Sequence, residues 1–302
     1  MAGFGQRAIW ALEAGAYEAF LRGFGLLPLN TASNLGAAIL RTLGPLTKTH
    51  KVALKNLEIA FPDQTPEWRE TTARQHWSNI GRTFAEYPHL HKITAYQGDN
   101  ITVKGVEHLD AVTRSGRGAV LISGHFANWE VMAMAIVQSG LDCAITYRAA
   151  NNPWFDEQVK RVRRGYGVGT LTPKAGMKGA RELMAILEEG RAIALMNDQK
   201  FNEGIPVPFF GREAMTAPGP TRLAMRAGVP LIPMSVKRIG DAPKFEVTVH
   251  EPFDLPEGKP TTEKVEAVVT RINRFVEDRI KESPADWFWV HRRFEKSVYR
   301  EG

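Results

Sequence analysis

His125 and Glu130 have the strongest claim to chemistry in this chain. They stand in the segment Ser123-Gly124-His125-Phe126-Ala127-Asn128-Trp129-Glu130, directly after the apolar run Ala119 to Ile122. An imidazole steadied by a carboxylate is a general base: the carboxylate fixes the tautomer and stabilises the imidazolium that forms when the ring takes a proton. On one continuous helix, residues five apart lie roughly 140° from each other and cannot meet. The pairing therefore requires His125 on a loop and Glu130 in the first turn of the helix that follows. Gly124 frees the chain for a sharp turn and Asn128 can cap the helix. No Gly-x-Ser-x-Gly segment accompanies the pair, so His125 is expected to act directly on a substrate hydroxyl. Taken alone, the same spacing also fits a satisfied loop histidine beside an unrelated, solvent-facing glutamate. His108, His250 and His291 show no ligand spacing, and no metal site is expected.

Positioning such a pair takes a strand that ends where the loop begins. Apolar runs at Ala119 to Ile122, Cys143 to Tyr147, Ala192 to Met196, Leu231 to Val236 and Phe245 to Val249 read as strands, with a further one at Gly169 to Thr172. Helical patterns alternate with them over about 128–138, 153–164 and 177–188, the last closed by Gly190, and continue with a short helix ending near Gly228 and a long one over 262–281. Upstream, Thr65 and Pro66 open a helix over about 66–92. Asn197 to Pro218 reads as a loop. Repeated βα units predict an α/β fold, a largely parallel central sheet flanked by helices with amphipathic helices at the N-terminus. The expected organisation is an N-terminal helical, membrane-associating region, 1–98, decorating an α/β core, 99–302.

In such sheets, sites gather at the carboxyl ends of the strands. That places Arg148, after the second run, on the same edge as His125, where it could hold a phosphate or a developing oxyanion. Asp198 and Gln199 occupy the corresponding place after Ala192 to Met196, with loop capping as the other reading of Asp198.

Composition limits the function classes. The chain has 302 residues, 43% hydrophobic, and a formal charge of +6, which excludes an acidic solvating protein and leaves ample material for a core. One cysteine, Cys143, excludes an internal disulfide framework. Between Arg148 and Arg181 lie Arg148, Lys160, Arg161, Arg163, Arg164, Lys174, Lys178 and Arg181 against Asp156 and Glu157, a local +6 that equals the surplus of the whole chain. Such a segment is either a basic rim for anionic ligands or a solvated helix face. The charge-free stretch from Gly23 to Leu40 holds Pro28, Asn30, Thr31, Ser33 and Asn34 and is not expected to span a membrane; no cleaved signal is expected either. Ile9, Trp10, Leu12, Tyr17, Phe20, Phe24 and Leu27 recur at helical spacing, as in an interfacial helix or a core-facing one, and Arg41, Lys48, Lys51 and Lys55 downstream would suit an anionic leaflet.

Beyond single residues, the chain resembles the bacterial lipid A biosynthesis acyltransferases, the lauroyl and myristoyl transferases within the His-x4-Asp/Glu glycerolipid acyltransferase superfamily. The resemblance is carried by Asn56-Leu57 with Phe61-Pro62, Gly124 to Glu130, Tyr147-Arg148 with Asn151-Asn152-Pro153, Asp198-Gln199 with Phe209-Phe210-Gly211 and Thr216, Val229 to Pro233, and Trp287 to Phe294, together about residues 50–295. It implies transfer of a fatty acyl group from acyl carrier protein to a 3-hydroxyacyl hydroxyl of a lipid A precursor at the cytoplasmic face of the inner membrane. His125 carries over as base and Glu130 as its partner. Asn128, Asn151, Arg164, Phe210, Gly211 and Thr216 join Arg148, Asp198 and Gln199 as candidate substrate-binding residues. The partners implied are acyl carrier protein as co-substrate, the lipid precursor and a membrane surface, with no nucleic acid and no metal or redox cofactor. The N-terminus is a weaker anchor than many members carry, so peripheral attachment is expected. Phe209, Phe210 and Met215 are candidate walls of an acyl slot, while Trp287, Trp289 and Phe294 could form an interfacial belt or a docking helix.

Two other readings compete. A glycerol-phosphate or lysophospholipid acyltransferase would use the same base, but its Phe-Pro-Glu-Gly-type loop is missing around Asp198 to Thr216. A non-catalytic basic protein that binds membranes or nucleic acid would explain the charge without an ordered His125 site.

Overall fold

The computed structural model describes residues 3–173 and 176–300. Four helices come first: α1 (Phe4–Gly25), α2 (Leu29–Leu43), α3 (Lys48–Ala60) and α4 (Pro66–Glu86). Thr65 caps α4 by accepting the Trp68 N–H, and a 3₁₀ segment, Tyr87–Lys92, ends this region. There follow β1 (Ile101–Lys104), α5 (Val106–Ser115), β2 (Val120–Ser123), α6 (Glu130–Gln138), β3 (Cys143–Tyr147), α7 (Pro153–Gly165), β4 (Thr170–Pro173), α8 (Gly176–Glu188) and β5 (Ala192–Met196). The chain then forms β6 (Ile205–Phe209), β7 (Arg212–Thr216), α9 (Gly219–Ala227), β8 (Leu231–Arg238), β9 (Phe245–Val249) and α10 (Thr262–Glu282).

Seven strands build one sheet in the order β1-β9-β8-β2-β5-β3-β4, parallel throughout except where β8 meets β9. The expected α/β architecture is therefore present. β2 lies centrally between β8 and β5, and all four of its residues are buried, as an apolar run covered on both faces should be. Leu183, Leu187, Leu223, Val268 and Ile272 of α8, α9 and α10 cover one face. On the other, α6 joins α3, α4 and the C-terminal segment in one continuous core, from Leu57 and Ala73 to Trp287 and Trp289.

Three differences from the sequence reading stand out. Residues 205–216, read as loop, form the β6/β7 hairpin, in which Ile205, Val207 and Phe209 alternate with Pro206 and Pro208. β1 and α5 were not anticipated. Trp287, Trp289 and Phe294 lie in neither a helix nor a belt: all three are buried in an irregular segment that packs into the core. Among the described residues, no helix is long and apolar enough to cross a membrane.

Candidate active site

The register of the sheet builds the site. Ser123, last in β2, lies opposite Met196, last in β5, and the Asn197 N–H donates to the Ser123 carbonyl at 2.8 Å. Both chains leave the sheet together, bringing His125 beside Asp198. A Cβ on Gly124 would stand 2.8 Å from the Phe126 ring and 3.2 Å from Asp198 Oδ2, so this glycine is required for close approach. The turn itself is made by Ala127, at φ +41°, in the left-handed region. That conformation costs a non-glycine residue about 1 kcal/mol. It is held by the Ala127 N–H donating to the Asp286 carbonyl at 2.7 Å and by Thr83 donating to the Ala127 carbonyl at 3.1 Å.

The carboxylate that meets His125 is that of Asp198, not Glu130. Nδ1 of His125 lies 2.8 Å from Asp198 Oδ1, so Nδ1 carries the proton and donates. Asp198 Oδ2 accepts the His125 backbone N–H and the Trp287 indole N–H, each at 2.8 Å. Burial alone would raise the Asp198 pKa, but the facing imidazole and these donors outweigh it and hold the carboxyl well below the usual carboxylate range. His125 lines a cavity of about 590 Å³ together with Trp129, Glu130, Arg148, Arg163 and Gln199.

Glu130 is the correction to the sequence reading. It does begin α6, and Asn128 accepts its backbone N–H at 3.3 Å, but its side chain turns to a different set of partners. Arg163 donates to both its oxygens, at 3.0 and 2.7 Å, and the hydroxyls of Tyr87 and Tyr166 donate as well. Burial raises the Glu130 pKa; the Arg163 charge and these donors more than reverse that and bring it down to about 2. The sequence could not rank two carboxylates against each other, because pairing with Asp198 spans 73 positions and depends on β2 and β5 being neighbours.

Of the other candidates, Arg148 and Gln199 line the cavity. Asn128 does not; it is fully buried and donates to Glu86 at 2.9 Å. Asn151 is exposed outside it, and Arg164 points away to pair with Glu157 at 2.8 Å. Phe210 and Gly211 form the tip of the hairpin, where the Phe210 N–H donates to Glu277, and Thr216 accepts from Arg293 in the interior. Phe209 is packed against Trp287, so neither it nor Phe210 walls the cavity. The basic segment is largely neutralised: Lys160 pairs with Asp156, Arg161 with Glu18 and Arg163 with Glu130. Lys178 and Arg181 are exposed, and Lys174 lies outside the described residues. The sequence reading missed Trp287, Tyr87 and Tyr166 as partners of the two carboxylates; only the Trp-rich tail gave any signal.

A buried aspartate holding a histidine beside a cavity, at the carboxyl edge of a largely parallel sheet, is an arrangement suited to acid–base chemistry. The chain belongs to the bacterial lipid A biosynthesis acyltransferase family, whose model matches residues 7–296. It is 25% identical over 279 residues to the lipid A biosynthesis palmitoleoyltransferase of Escherichia coli (strain K12), covering 89% of this chain and 86% of that one. The lauroyltransferase of the same organism is 25% identical over 257 residues, covering 81% and 78%. A phosphatidylinositol mannoside acyltransferase of Mycolicibacterium smegmatis is 28% identical over 197 residues, covering 63% and 61%.

Proposed function

We propose that this acyltransferase moves a fatty acyl group from the thioester of acyl carrier protein to the hydroxyl of a 3-hydroxyacyl chain on a lipid A precursor, with His125 as the general base. The observation that carries this reading is the His125–Asp198 pair at the wall of the cavity. With Nδ1 donating to Asp198, Nε2 is the basic nitrogen and takes the proton of the acceptor hydroxyl as its oxygen adds to the thioester carbonyl. The imidazolium so formed is stabilised by Asp198. When the carbon–sulfur bond breaks, the leaving thiolate takes the proton back from Nε2, leaving an ester and a free thiol. One base accounts for every proton moved, so the chemistry needs no metal or redox group. Arg148, which lines the same cavity and has no carboxylate partner among the described residues, supplies positive charge for the oxyanion and for phosphates of the acceptor.

The same reading places the chain on the cytoplasmic face of the inner membrane. Phe4 is 91% exposed, Leu12 75% and Leu26 87%, an apolar surface on and beside α1 that an interfacial bed would cover. The test is mass spectrometry of a lipid A precursor incubated with purified protein and acyl carrier protein thioester. One added acyl ester is expected, lost in His125→Ala with the fold intact. A product found only on glycerophospholipids or on mannosylated phosphatidylinositol would overturn the acceptor, and undiminished transfer by the variant would overturn the base.

A further inference from the structure

A second depression, of about 1180 Å³ against 590 Å³ for the catalytic cavity, lies between α3, α4 and the C-terminal segment and shares no lining residue with that cavity. Its charges are unbalanced in a specific way. Two of the three carboxylates lining it are engaged within the chain, Glu58 by Lys55 at 3.1 Å and Glu70 by Arg74 at 2.7 Å and by His50 at 3.0 Å, while Glu67 stands in the first turn of α4. Arg69 is committed to the carbonyls of Phe61 and Pro62. Lys48, Lys51 and Arg292 remain, exposed and with no carboxylate partner among the described residues. The same lining includes the apolar side chains of Val52, Leu54 and Val298.

We propose that this groove holds an anionic phospholipid of the bilayer surface, its phosphate between Lys48, Lys51 and Arg292 and an acyl chain along these apolar side chains. The inference rests on the reading that the protein works at a membrane, and adds a site separate from that of the reaction. Two observations select a lipid over an acidic protein. Leu43 and Leu46, immediately before Lys48, are 52% and 80% exposed, so the cationic mouth borders side chains that hydrocarbon would cover and an acidic helix would leave wet. The groove also combines free cations with apolar side chains, matching the two halves of a phospholipid.

The experiment is sedimentation of the full chain with phosphatidylcholine vesicles, with and without phosphatidylglycerol. Wild type should prefer the anionic vesicles. Lys48→Ala, Lys51→Ala and Arg292→Ala together should weaken that binding on the order of 100-fold, at roughly a fivefold loss per cation. Their binding to pure phosphatidylcholine should be unchanged. Phe4→Ser with Leu12→Ser should instead weaken binding to both vesicle types alike. The triple variant should retain acyl transfer in neutral detergent, and His125→Ala should retain vesicle binding, so failure of the groove and failure of the reaction are separable. Should the triple variant fold poorly, the Lys48→Ala, Lys51→Ala pair on the exposed face of α3 carries the same test. Three results would overturn the proposal: unchanged preference for anionic vesicles, displacement from them by inorganic phosphate alone, or loss of acyl carrier protein binding with vesicle binding intact.

Discussion

Asp198 and Glu130 are both 2% exposed, both start from the carboxyl edge of the sheet, and both have depressed pKa values, yet their surroundings differ in one decisive respect. Glu130 faces a guanidinium, which is charged at every pH the protein will meet, so its charge is balanced permanently. Asp198 faces an imidazole and two neutral N–H groups, so its charge is fully balanced only when His125 is protonated. The base proposed above must favour its protonated form transiently, and of the two arrangements the one around Asp198 suits that. Glu130 holds Arg163 at the cavity wall and ties α6 to α7. The lesson is that a buried carboxylate near a histidine is assigned by what else neutralises it.

Substitutions that keep shape and change charge separate the two. Asp198→Asn should lower kcat roughly 10³–10⁴-fold by leaving the imidazolium without its counter-charge, a loss far beyond what any accompanying fall in Tm accounts for. A large fall in Tm with modest loss of kcat would exchange the roles of the two acids. Glu130→Gln should act on stability first, since it strands the half-buried Arg163 guanidinium; denaturant titration should read a loss of about 3 kcal/mol. Adding Arg163→Met should restore much of it, and a double variant no better than the single would refute permanent neutralisation as the role of Glu130.

Acid tests the Glu130 side of the comparison. The Glu130 pKa falls from 4.5 when unfolded to about 2 when folded. Its stabilisation is therefore complete above pH 4.5 and is lost as pH falls toward 2. The loss amounts to about 3 kcal/mol, and Glu130→Gln should flatten that part of the profile. A profile of the same slope in the variant would remove Glu130 from the account. The smallest effect is expected of Trp287→Phe, which deletes one donor to Asp198: about tenfold in kcat, with KM little changed, as the loss of one charge-assisted hydrogen bond of roughly 1.5 kcal/mol requires.

Much of this was legible before any coordinates. The runs Cys143 to Tyr147 and Ala192 to Met196 are strands over those same residues, and Thr65 caps α4 through a side-chain hydrogen bond, because apolar runs and caps are local signals. The strand-end position of His125 followed from the apolar run before it and Gly124 after it. The hairpin escaped because Pro206 and Pro208 argue against a strand, although both sit on a two-stranded ribbon that tolerates them, turned by Phe210 and Gly211 at positive φ. The partner of His125 escaped for another reason. Sequence spacing favours the nearer acid, whereas pairing of β2 with β5 favours the one that shares its strand-end level. Arg163 looked like one of several cations on a helix; its commitment to Glu130 depends on how α7 packs beside α6.

Trp287 donates to Asp198, the Phe288 N–H donates to the His125 carbonyl, and Phe126 bridges to Trp287, so the His125–Asp198 pair is braced by a segment 89 positions beyond Asp198. Synthesis runs in one direction. A growing polypeptide that already carries residues 1–284 has its histidine and aspartate but not the indole and backbone that steady them. The steadying of His125 and Asp198 therefore waits on residues 287 and 288, made long after both side chains have left the ribosome.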